Sequence, residues 1–187
     1  MNRLHHWVCR SRVWRKALEE RFLPGVLDGI ELGDDLLEIG PGPGATTDLL
    51  RAKVERLTAI EVDPCAARSL GRRVVGAKVR VVAGDAVQMP FADTSFSSVV
   101  SFAMLHHVGS PELQNVLLRE VRRVLKPDGF FAGMDAAPGF GMRLLHLGDT
   151  YVPVDPGSFV LRLESAGFRK VTVETDRFAF RFRAVAE

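Results

Sequence analysis

Glu38-Ile39-Gly40-Pro41-Gly42-Pro43-Gly44 is the segment of this chain whose residue types most plainly serve a ligand. Glycines at alternate positions let the backbone turn tightly and let a ligand approach the main chain with no Cβ between them. The helix expected to follow offers unpaired N–H groups and the positive end of its dipole. Two ligand chemistries compete for this turn. Gly40-x-Gly42-x-x-Ala45, with Glu61 roughly 20 residues beyond the turn, fits a nicotinamide dinucleotide whose ribose a carboxylate holds. Other features favour a cationic nucleoside. Glu38 sets a carboxylate ahead of the first glycine, where a pyrophosphate is repelled and an ammonium group is attracted. Asp85, in Gly84-Asp85-Ala86, adds a carboxylate suited to an adenine amino group. A second mononucleotide-binding half is not seen in the sequence. Further along, His106 and His107 are imidazoles able to take a proton near neutral pH.

The elements that must position these groups follow from hydrophobic period. Strand-length apolar runs alternate with segments of helical period, which argues for βαβ units and a parallel sheet. Strands are expected at Asp35–Ile39, Leu57–Val62, Lys78–Ala83, Phe96–Phe102 and Phe130–Met134. A first helix runs from Ser11, its cap, to about Phe22, with Val13, Leu18 and Phe22 on one stripe and Trp14 beside it, and Pro24-Gly25 ends it. A helix over Ala45–Lys53 follows the glycine turn, and Asp63-Pro64 opens another by side-chain cap and proline. Ser110-Pro111-Glu112 opens a helix that carries Leu113, Val116, Leu117, Val121, Val124 and Leu125 on one face. Pro127-Asp128-Gly129 stops that helix. Asp155-Pro156-Gly157-Ser158 starts the last helix, and Gly167 closes it. Lys170–Thr175 and Phe178–Val185 form an antiparallel pair across the short Asp176-Arg177 turn, with Phe178, Phe180 and Phe182 marking one buried face. Ala136–Val154 shows no clear period.

Composition narrows the class. The chain has 187 residues, 47% of them hydrophobic, and a formal net charge of +2, which suits one domain with a buried core. No apolar run approaches the ~20 residues that cross a bilayer, and the residues from Met1 to Trp7 hold no stretch of signal-peptide type. Cys9 and Cys65 make no disulfide framework and lack metal-ligand spacing, so a reducing, cytoplasmic setting is expected and no metal site is assigned. Up to Arg21 the basic residues Arg3, Arg10, Arg12, Arg15, Lys16 and Arg21 face only Glu19 and Glu20. A solvated helix face and an anion- or RNA-binding face are both readings of that excess, and the former is the more ordinary.

Together these segments resemble the class I S-adenosylmethionine-dependent methyltransferases. The matching stretches are LLEIGPGPGATT, AIEVDP, GDAVQMPFADTSF, VVSFAMLHHV and VRRVLKPDGFF, in that order, from about Leu36 to Asp135. The resemblance implies an α/β fold of Rossmann-like, doubly wound type: a seven-stranded, mostly parallel sheet with an antiparallel strand in its C-terminal hairpin. It implies one domain over 1–187, with an N-terminal helical cap (1–34), a cofactor-binding core (35–135), a substrate loop (136–154) and a C-terminal helix and hairpin (155–187). S-adenosyl-L-methionine is the implied cofactor and S-adenosyl-L-homocysteine the product. Gly40, Gly42, Gly44 and Thr47 would pass the methionine part, with Glu38 near its ammonium group. Glu61 would accept from both ribose hydroxyls, and Val62 would pack on the adenine face. Asp85 would accept from the adenine amino group, Ala86 would offer its N–H to the ring, and Phe102 would lie where the chain reaches the sulfonium.

The acceptor is read less directly. The first motif is also similar to that of the rRNA adenine dimethyltransferases, and the basic N-terminal helix would suit RNA. That group places Asn-x-Pro-aromatic after the fourth strand, to hold and stack an adenine. Ser101-Phe102-Ala103-Met104-Leu105-His106-His107 stands there instead. MPFADTSF followed by MLHHV looks like the subfamily that acts on small molecules, although Ser97 replaces that subfamily's usual Asp. A small-molecule acceptor is therefore expected, with RNA as the competing class and no membrane span. His106 or His107 is the expected base for a hydroxyl acceptor. His146, Asp149 and Tyr151 are the expected substrate wall; acceptor specificity is otherwise left to the N-terminal helix with Trp7 and Trp14, or to a partner subunit in a homodimer.

Overall fold

The structure, a computed structural model, describes residues 7–76 and 78–187. Arg3, and with it the first six residues of the expected helical cap, lies outside the described residues. The elements run α1 (Arg12–Ala17), a π-helical turn (Leu18–Phe22), α2 (Leu23–Leu27), β1 (Asp35–Ile39), α3 (Ala45–Leu50), β2 (Arg56–Glu61), α4 (Pro64–Arg73) and β3 (Val79–Ala83). They continue with β4 (Phe96–Phe102), a 3-10 turn (Leu105–His107), α5 (Pro111–Val124), β5 (Leu125–Ala136), α6 (Phe140–Leu145), α7 (Pro156–Ser165), β6 (Phe168–Thr175) and β7 (Ala179–Ala186).

The seven strands lie in the order β3-β2-β1-β4-β5-β7-β6. β3, β2, β1, β4 and β5 pair in parallel, and β7 pairs antiparallel with both β5 and β6. Period-two alternation sends Leu37, Ile39, Val99 and Phe131 to one face and Leu36, Val100, Ala132 and Met134 to the other. On the first face α5 and α7 cover a group of aromatic rings. Phe182 lies 4.8 Å from Phe131 and 5.1 Å from Phe159, centroid to centroid. Complete burial of each such ring contributes about 2–3 kcal/mol. On the other face Leu18, Phe22, Leu23 and Val26 of the N-terminal helix pack against Leu36 and Val100.

The expected caps form as read. Ser11 Oγ accepts from Trp14 N at 3.1 Å, Asp63 Oδ1 from Cys65 N at 2.8 Å, and Ser110 Oγ from Leu113 N at 3.2 Å. Several boundaries differ from the sequence expectation. The first helix does not stop at Pro24-Gly25: the π turn ends just before it and runs on in helical conformation into α2, whose first turn holds Pro24. Val13 lies ahead of that turn and is 80% exposed while Leu18 and Phe22 are buried, because five residues of α-helix put it about 140° away from Leu18, off their stripe. α3 ends at Leu50, short of the expected Lys53. Leu113 faces solvent and Gln114 takes its buried place. Pro127-Asp128-Gly129 falls within β5, whose pairing jumps from Phe96↔Leu125 to Ser98↔Phe130, and Asp128 adopts φ +61° in that bulge. Phe178 precedes β7 and is exposed, so the buried alternation begins at Phe180. The stretch read as lacking period contains α6.

Candidate functional site

In the sheet, sequence order reverses direction between β1 and β4, and the carboxyl ends of the strands flanking that point form the crevice where doubly wound folds bind ligands. The glycine turn leaves β1 there. Gly40 N donates to Ile60 O at 2.9 Å, and its φ of +64° together with the nearby Met104 side chain excludes any Cβ. Gly42 also has positive φ, but a Cβ built on it meets nothing within 4 Å. Its bare side is open space. Gly44 N-caps α3, and Arg73 of α4 clamps the corner, its Nη2 donating to Pro43 O at 3.0 Å and Gly44 O at 3.2 Å while Nη1 pairs with Asp48 at 2.7 Å.

Beneath the turn, Glu38 is buried and both its oxygens accept hydroxyl bonds, one from Thr46 and one from Thr47 at 2.6 Å. Burial pushes its carboxyl up to about 7; the threonine bonds oppose the rise, and the charges of Asp48 and Glu61 add to it. At the end of β2, Glu61 is held on both sides: Oε2 accepts from Gly42 N and Oε1 from Asp63 N, each at 3.0 Å. Each oxygen keeps a further lone pair for a ligand hydroxyl. Val62 follows with its apolar side chain 66% exposed. After β3, Asp85 is exposed with Oδ1 on Val87 N at 3.0 Å, while Ala86 and Val87 pack on the core. Arg123 of α5 pins the rest of that loop, donating to Phe91 O at 2.8 Å and Met89 O at 3.1 Å. The strand order thus brings Glu38, the glycines, Thr47, Glu61, Val62, Asp85 and Ala86 to one edge. Phe102 stands apart: its side chain packs in the core under the N-terminal helix.

The second group gathers beyond β4 and β5. His106 is buried and its Nδ1 pairs with Asp135 Oδ1; Asp135 Oδ2 accepts His106 N at 3.2 Å, and Oδ1 also accepts Ala136 N at 2.6 Å. His107 Nδ1 donates to Thr150 O at 3.2 Å, and His146 Nδ1 donates to Met142 O at 2.7 Å. The His106 centroid lies 4.3 Å from that of His107 and 4.9 Å from that of His146, and Tyr151 stacks on His146 at 4.7 Å. Burial lowers the His146 pKa and raises that of Tyr151. Asp149 turns locally, Oδ1 accepting Thr150 N at 2.9 Å. Gln114 of α5 holds the two halves together, Nε2 donating to Leu105 O at 3.2 Å and Val152 O at 2.9 Å. Sequence reasoning missed Asp135 and Gln114. A carboxylate ending the apolar run Phe130–Met134, and an amide on the apolar stripe of α5, were the available signals.

Comparison with known proteins agrees with this layout. Residues 37–133 match the family described as the methyltransferase domain. A probable ribosomal RNA small subunit methyltransferase A of Methanosarcina barkeri is 36% identical over 99 residues, covering 46% of this chain and 34% of that one. A sterol 24-C-methyltransferase of Gibberella zeae is 32% identical over 108 residues, covering 55% of this chain and 28% of that one. The matched region spans about a third of the length of these curated relatives. Among solved structures, a SAM-dependent methyltransferase of Aquifex aeolicus superposes with a TM-score of 0.73 at 24% identity, covering 92% of this chain and 93% of that one.

Proposed function

The chain belongs to the methyltransferase domain family, as a class I S-adenosylmethionine-dependent enzyme, and we propose that its methyl acceptor is a small molecule. The observation that supports the cofactor side is the pairing of Glu61 with Gly42, a carboxylate set against a turn whose outer face is bare. These residues fit the cofactor. Glu61 would take the ribose hydroxyls, Glu38 with its threonines would face the amino-acid part, and Val62, Asp85 and Ala86 would flank the adenine. When bound, S-adenosylmethionine supplies an electrophilic methyl group that carries its own leaving group.

The chain's own task is then to aim the acceptor in line and to accept its proton. The histidines after β4 would serve the second task, and the contact with Asp135 supports a His106 ring that carries its proton on Nδ1. His107, His146 and Tyr151 supply a wall of flat rings for an acceptor of modest size. RNA is the second reading, favoured by the ribosomal RNA methyltransferase relatives and by the exposed Arg10, Arg12, Arg15 and Lys16. Calorimetry with S-adenosylhomocysteine, and transfer of labelled methyl from S-adenosylmethionine to fractionated cell extract, test both. S-adenosylhomocysteine binding with label in the low-mass fraction is expected. Label in RNA, with affinity falling steeply as salt rises, would replace the acceptor class. Absence of S-adenosylhomocysteine binding would overturn the cofactor reading.

A further inference from the structure

His106, His107 and His146 present one ligating nitrogen each, all within 4.8 Å of one another. They come from two segments 40 residues apart in sequence, the turn after β4 and the end of α6. From this geometry we propose that the three imidazoles form a site for a divalent transition metal of zinc type. Imidazole nitrogen suits such ions, and three histidines are a ligand set that leaves one position of a tetrahedron to a small molecule.

The bonds made by the other ring nitrogens carry the argument further. A carbonyl only accepts, so the contacts of His107 with Thr150 O and of His146 with Met142 O fix a proton on each Nδ1. Asp135 does the same for His106. All three rings are thereby set in the tautomer with the proton on Nδ1, and a carboxylate or carbonyl behind the ring is how metal-binding imidazoles are oriented. Gln114 and the Val152 N–H bond to His106 O at 2.8 Å tie the segment bearing His146 to the turn bearing the other two. Around zinc, with bonds of about 2.0–2.1 Å, tetrahedral nitrogens stand about 3.3 Å apart. Closing from the separations here needs ring movements of about an ångström.

The binding of the ion stands on the rings alone; its role rests on the proposed methyl transfer. In that role the ion would draw an acceptor oxygen or sulfur to its fourth position and ease loss of the acceptor's proton to solvent water, the methyl then passing to that atom as its bond to the sulfonium sulfur breaks, with His106 acting as ligand in place of base. The acceptor class is accordingly a hydroxyl- or thiol-bearing small molecule.

The test is a titration of untagged full chain, carrying Cys9→Ser and Cys65→Ser to remove thiol ligands, with cobalt(II) and with zinc against a competing chelator. One ion per chain is expected, with the visible absorption of tetrahedral cobalt. His146→Gln and His107→Gln are each expected to weaken zinc at least a hundredfold, and Asp135→Asn to weaken it about 10–100-fold. Fold is checked by circular dichroism; His107, only half-buried, is the variant least coupled to packing. Unchanged zinc affinity in His107→Gln, or less than one ion bound per chain, overturns the site. S-adenosylhomocysteine affinity is read on the same samples. Its retention where ion binding fails overturns this inference alone, and its absence where ion binding holds overturns the cofactor reading alone.

Discussion

Glu61 Oε2 accepts the backbone N–H of Gly42 at 3.0 Å, so one carboxylate both faces the expected ribose and fixes the most open corner of the glycine turn. Glu61→Ala removes both functions. Hydrogen bonds to a charged group contribute about 1.5–3 kcal/mol each, so S-adenosylhomocysteine affinity should fall at least a hundredfold. Glu61→Gln, which keeps the shape and loses the charge, should fall between. Calorimetry that finds the alanine variant equal to the parent would remove the ribose assignment.

Glu38 predicts a stability profile opposite to that of a surface acid. The folded chain holds this proton up to about pH 7, whereas an unfolded chain releases it near 4.5. The group's stabilising contribution is therefore complete below about pH 4.5 and is lost as pH rises through 7, by about 3 kcal/mol in all. Glu38→Gln keeps the threonine contacts and should flatten that part of the profile. Urea midpoints of ligand-free protein between pH 5 and 8 compare the two; parallel curves would show that Glu38 does not carry the dependence.

Arg73 holds the glycine turn from outside, through Pro43 O and Gly44 O. Its guanidinium is partly exposed, so Arg73→Ala should leave melting nearly unchanged. The turn loses its clamp, and S-adenosylhomocysteine should bind about three- to tenfold more weakly, the equivalent of one ordinary hydrogen bond. Equal affinity would mean that α3 alone keeps the glycines in place.

Gln114→Ala strips partners from the Leu105 and Val152 carbonyls and opens a small cavity beneath the histidine turn. A loss of about 2–4 kcal/mol is expected from the unpaired groups and the missing volume. Gln114→Met restores the volume alone and should recover only part of the loss. Denaturant unfolding distinguishes the two contributions, and full recovery by Met would reduce Gln114 to a space filler.

The glycine turn and β1 to β4 were legible in sequence because their chemistry is local: a glycine's missing Cβ, a strand's alternation and an aspartate cap act within a few residues. The crevice was legible for the same reason, since Glu38 and Glu61 lie in the last two residues of their strands and Asp85 just past its own, and parallel strands align their ends. The histidine cluster was not. His106 and His146 meet only after the segment beyond β5 folds back over the sheet edge, and no local period encodes that return. Asp135 stood just past the expected strand Phe130–Met134 with no role read for it, because its partner His106 is 29 residues away in sequence. The π turn escaped because its wider winding is indistinguishable from α-helix in residue type.

β7 lies between β5 and β6, so a strand that follows both of its neighbours in sequence is an interior one. Until residue 186 clears the ribosome, β5 and β6 have no neighbour to join them, and Phe180 and Phe182 are missing from the aromatic group that α7 covers. A nascent chain stalled before that point would carry bare strand edges and unburied rings, the features that recruit chaperones.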